Sequence, residues 1–143
     1  MTRKDRLWVA GLRALVASII ATLAVRQAAL ATLDIPTEFP PLAEAGPTVF
    51  FTAVGVFGAT GVFAVIRRRS DRPEVLFRWI AVGVLLLSAW PDLWLPSDGA
   101  VGAFPGATPS AVGVLMLMHV VAGAVIVWFL TVRPARNAIR QIT

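Results

Sequence analysis

Four stretches of nearly unbroken apolar sequence divide the chain, at about Leu7 to Leu33, Thr48 to Ile66, Val75 to Leu95 and Ser110 to Val132. Each is long enough for a helix rising about 1.5 Å per residue to cross a hydrocarbon layer roughly 30 Å thick. The second carries no charge, and the fourth carries only His119. The alternation of apolar and polar positions expected of a membrane strand is absent, which argues against a barrel. Prolines gather between the stretches, at Pro36, Pro40, Pro41, Pro47, Pro73, Pro96, Pro105 and Pro109, where they delimit helices rather than interrupt them. The predicted fold is all-α: a four-helix transmembrane bundle, one domain over residues 1–143 built from two helical hairpins.

Charge then orients the hairpins. Lys and Arg in short loops stay on the cytoplasmic side of a membrane. Arg3, Lys4 and Arg6 precede the first stretch, Arg67, Arg68, Arg69 and Arg72 link the second to the third, and Arg133, Arg136 and Arg140 follow the fourth. The other two loops carry Asp34, Glu38, Glu44 and Asp98 and no cation. Both termini are therefore expected in the cytoplasm, in a multi-pass protein of the inner membrane. Trp8, Trp79 and Trp128 fall near the inner interface and Trp90 and Trp94 near the outer one, at headgroup level where indoles concentrate. A basic start, an apolar run and Ala29-Leu30-Ala31 also resemble a cleavable leader. The length of the run and Arg26 near its end favour an uncleaved first helix.

Composition supports lipid as the solvent: of 143 residues 57% are hydrophobic and 15% charged, with a mean hydropathy of +0.77. The net charge of +5 does not imply nucleic acid, because the cations sit in short runs between apolar stretches and not on a soluble patch. The absence of cysteine removes disulfides and thiolate chemistry. One His and few intramembrane acids argue against a metal site. No nucleophile triad, phosphate loop or carboxylate pair suggests catalysis or a cofactor.

Polar side chains inside the stretches are the candidate chemistry, since an ionisable group at mid-bilayer costs about 2.5–3.5 kcal/mol and faces protein or water. Arg26 and Asp92 share a depth near ~10 Å from the midplane, counted at about 1.5 Å per residue, and His119 lies deeper, near the level of Ser88. Ser18, Thr22 and Arg26 recur every four residues on one helical face, as do Ser88 and Asp92. Two readings remain open. In one, Arg26 pairs with Asp92, His119 bonds nearby through Ser88 or a water, and Pro91 frees a carbonyl near Ala89 or Leu87; the cluster then fixes helix register or handles a proton or small lipophilic ligand. In the other, Arg26 snorkels to the outer headgroups, Asp92 sits in the wet interface, and His119 makes a structural bond.

Gly55, Gly58 and Gly61, with Thr52 and Thr60 beside them, and Gly113 and Gly123 in the fourth stretch permit close helix approach. They serve packing within the bundle or a face for a homo-oligomer or membrane partner. The Arg67-Arg68-Arg69 run sets topology and also suits anionic lipid.

Ser88 and Pro91 near the end of the third stretch, the acidic, proline-rich first outer loop and Met118-His119 together resemble a family of small four-helix bacterial membrane proteins of unknown function, over nearly the whole chain. That resemblance implies a fold and no activity. The topology is also similar to that of sterol-isomerase-like membrane domains, which depend on more intramembrane acids than Asp92. The reading favoured is a non-enzymatic interaction or accessory module; the alternative is a ligand-binding or proton-coupled transport protein using Asp92 and His119.

Overall fold

The computed structural model describes residues 3–94 and 105–132. Within them run α1 (Arg3–Thr32), α2 (Pro40–Ala43), α3 (Ala45–Arg69), α4 (Pro73–Trp94) and α5 (Pro109–Val127), the last continuing as a π-helical stretch over Trp128–Val132. No strand occurs among the described residues. Four helices are long and apolar enough to cross a membrane, the length and composition of a multi-pass membrane protein. They occupy the four apolar stretches, with ends displaced by a few residues.

Two elements depart from the sequence reading. The loop after α1 holds a one-turn helix, α2, begun by Pro40 and Pro41; proline suits a first turn, where its missing N–H has no helical partner to lose. The fourth stretch does not end as a regular α-helix but widens into the π turn, where Thr131 Oγ1 donates to the Val127 carbonyl at 2.8 Å. Pro91, by contrast, does not end α4, which runs on to Trp94.

The four long helices form a ring. α1 packs against α3 and α5, and α4 closes the ring against the same two, leaving α1 and α4 on a diagonal where they scarcely touch. At the end of the bundle nearest the chain termini, Leu7, Ala14, Val56, Phe63, Ile66, Phe77, Ile126 and Leu130 form one apolar core, with the Phe63 and Phe77 rings 4.9 Å apart. At the far end Ala29, Phe39, Leu42, Ala111, Val112, Val114 and Met118 form a second. Phe39 and Leu42 come from the α2 segment, so the loop plugs its own end of the bundle.

The pattern between the cores is the reverse of a water-soluble bundle. The buried positions of α1 include Gly11, Ala14, Ser18, Thr22 and Arg26, whereas Leu12, Val16 and Ile20 are exposed. Lipid tails are as apolar as leucine, so in a bilayer large aliphatic groups gain nothing by turning inward, while polar groups do. The tryptophans follow suit: Trp8, Trp79, Trp90 and Trp128 are exposed near the bundle ends.

A second contact joins the far-end loops. Gly106 has φ +78°, and a Cβ placed there would lie 3.0 Å from Pro36 Cβ and 3.1 Å from the Phe39 nitrogen. Only glycine both adopts that backbone and admits so close a neighbour. Thr108 then caps α5, its Oγ1 accepting from the Ala111 N–H at 3.3 Å.

Candidate functional site

The polar residues of α1 define the site. They recur every four positions, which places them on one face, and that face meets α3. Thr22 Oγ1 donates to the Ser18 carbonyl at 2.9 Å. Having one proton, it acts as acceptor in its 3.4 Å contact with Thr52 Oγ1. Nearer the termini, Thr60 Oγ1 donates to the Val56 carbonyl at 2.8 Å, and its side chain crosses to Gly11, where a Cβ would lie 2.9 Å from Thr60 Oγ1.

Arg26 ends the series toward the far end. It is 6% exposed, so the snorkelling alternative does not hold: the guanidinium turns into the protein. Its Nη2 donates to the Leu42 carbonyl at 2.9 Å and the Ala43 carbonyl at 3.0 Å. These are the last carbonyls of α2, which have no onward helical partner. One arginine nitrogen thus ties the loop plug to α1. Arg26 Nε, Ser18 Oγ and Thr48 Oγ1 are buried without a hydrogen-bond partner.

The other predicted site residues are placed as follows. Ser88 Oγ donates to the Leu85 carbonyl on its own helix at 2.8 Å. His119 is half-buried on α5, with Nδ1 2.9 Å from the Leu115 carbonyl; a carbonyl only accepts, so Nδ1 carries the proton in that contact. Asp92 lies in the last turns of α4, and its side chain is outside the described residues, as is the expected pair with Arg26. Their helices stand on the diagonal of the ring, and among the described side chains Arg26 bonds backbone carbonyls. Among the described side chains, Arg26 is held in the α1–α3 seam and Ser88 bonds within its own helix; how Asp92 stands to Arg26 and His119 lies outside the described residues.

The glycines behave differently from the packing expectation. A Cβ at Gly55, Gly58, Gly61, Gly113 or Gly123 would meet nothing within 4 Å, while one at Gly11 would collide with Thr60. The close α1–α3 approach uses a glycine the sequence reading passed over. Its signal was present, because Gly11 and Ala14 head the same face as Ser18, Thr22 and Arg26. Thr48 and Thr52, four apart on α3, were legible in the same way. A further contact, Arg78 Nε and Nη2 each 3.3 Å from Thr131 Oγ1, joins α4 to the π turn and has no sequence signature.

Hydroxyls, a buried guanidinium and backbone carbonyls are suited to fixing helix register and to holding small polar species by hydrogen bonds. Among the described residues no group of His, Asp and Glu is arranged to hold a metal.

Against known proteins, the model described as "Family of unknown function (DUF6069)" matches residues 2–136. No curated protein matches the chain, and no solved structure does.

Proposed function

This chain belongs to DUF6069, a family of unknown function, and on that footing we propose that it is a non-enzymatic interaction or accessory module of the inner membrane, with both termini in the cytoplasm. The observation that carries this reading is the use made of Arg26. Its Nη2 is spent on two carbonyls of the protein's own loop, as the hydroxyls of Thr22, Thr60, Ser88 and Thr131 are spent on carbonyls of their own helices. Intramembrane polarity directed this way holds a shape; the shape, presented to lipid and to other membrane proteins, is the functional surface. The cation asymmetry of the loops supports the orientation.

Native mass spectrometry of the gently extracted wild type beside Asp92→Asn and His119→Ala tests the proposal. The module reading expects variants of lower folded yield and the same bound mass as wild type. A retained lipophilic molecule that both variants lose while staying folded overturns it in favour of ligand binding.

A further inference from the structure

Arg78 stands five residues into α4, about 7–8 Å along the axis from Pro73, in a helix long and apolar enough to cross a membrane, and it is exposed. Its guanidinium is nonetheless held in place. Nε and Nη2, the donors along one edge, each lie 3.3 Å from Thr131 Oγ1. That hydroxyl spends its own proton on the Val127 carbonyl, so toward Arg78 it is an acceptor. Thr131 is buried in the π turn, which makes it a firm anchor. Arg13, also exposed on a membrane-length helix, has no such tether among the described residues.

A guanidinium has five N–H donors, and Thr131 takes one from Nε and one from Nη2. The other edge, formed by Nη1 and the remaining hydrogen of Nη2, is a two-pronged donor whose spacing matches a phosphate or a carboxylate. Because the side chain is already tethered, a ligand on that edge is spared most of the cost of ordering it. The surroundings choose between the two anions. Trp79, beside Arg78 on α4, and Trp128, in the same π turn as Thr131, are both exposed, and exposed indoles mark the headgroup layer of a bilayer. A lipid phosphate lies in that layer; a carboxylate of a soluble partner would have to enter it. The segments at this end are rich in arginine, their acids are Asp5, Asp71 and Glu74, and residues 1–4 and 133–143 add none. Such an excess of positive charge favours a headgroup whose phosphate is not offset by a choline or an amine.

We infer that the exposed edge of Arg78, held by Thr131 of the π turn, binds the phosphate of an anionic phospholipid. The inference rests on the membrane placement proposed above and not on the module's orientation or partners. The experiment places the full chain in nanodiscs of equal phosphatidylglycerol and phosphatidylcholine with matched acyl chains, the same in both leaflets so that orientation has no effect, and counts by native mass spectrometry the lipids that stay on the released protein. Wild type should retain phosphatidylglycerol in preference. Arg78→Gln should lower the ratio of the two retained lipids about tenfold, for the loss of bonds to a charged group. Arg78→Lys, which keeps the charge and loses the fork, and Thr131→Val, which keeps the arginine and loses its anchor, should both lower it as well, whereas Arg13→Gln should leave it unchanged; impaired folding alone would reduce both lipids and not their ratio. No preference in wild type, or a preference lost in Arg13→Gln, overturns the site even if the Arg78 variants do not fold. Displacement of the phosphatidylglycerol by inorganic phosphate overturns the lipid as its ligand in favour of a soluble anion. A chain that fails to enter nanodiscs overturns the membrane placement and the site together, which separates that failure from the others.

Discussion

At the scale of single residues, the bundle separates glycines that are needed from glycines that are not. Gly11→Ala drives a methyl against the Thr60 side chain, and overpacking of this kind costs about 1–3 kcal/mol. Gly55→Ala, Gly58→Ala and Gly61→Ala enter open space and leave the monomer's unfolding midpoint in detergent unchanged or slightly raised; a loss of stability there equal to that of Gly11→Ala would refute the assignment. Arg26→Leu strands the buried Leu42 carbonyl and the part-buried Ala43 carbonyl, and is expected to lower stability by about 2–5 kcal/mol in the same titration, as loss of one member of a buried charged contact does. The four-residue spacing of Ser18, Thr22 and Arg26 was legible because a helical face is a property of sequence. The partner of Arg26 was not. It is a pair of backbone carbonyls, which every residue owns, brought into reach by a loop conformation.

At the scale of elements, the long helices were readable from apolar length and the irregular ones were not. α2 depends on Phe39 and Leu42 finding a pocket among α1 and α5, a tertiary event that Pro40 and Pro41 permit but do not dictate. The π turn depends on Thr131 lying between the Val127 carbonyl and Arg78. Gly106 joins the two far-end loops, and Gly106→Ala incurs both the left-handed backbone penalty of about 1–2 kcal/mol and the collision with Pro36 and Phe39. Its expected signature is local: faster amide exchange over residues 36–43 and 106–108, with α3 little changed. Uniform loss of protection along the whole bundle would instead make the loop contact inseparable from the global fold.

At the scale of the whole molecule, the two apolar cores lie at opposite ends with polar hydroxyls between them, an order that the apolar stretches do not reveal, since it depends on which face of each helix turns inward. The proposed orientation is testable on this chain without background, because it has no cysteine. Thr37→Cys and Asp71→Cys occupy exposed loops at opposite ends, and an impermeant maleimide applied to spheroplasts should label the first and spare the second; the reverse pattern would invert the topology. The link from Arg26 to Leu42 and Ala43 bears on biogenesis as well. The acceptors leave the ribosome 16 and 17 residues after the arginine, so a nascent first helix released alone into lipid carries its cation with nothing to receive it. Partition of α1 is thereby coupled to synthesis of the segment that follows, and the membrane-insertion machinery should retain it until α3 arrives, admitting the two as a hairpin; truncated chains ending at Thr32 should integrate less efficiently than chains ending at Arg69, and Arg26→Leu should abolish that difference.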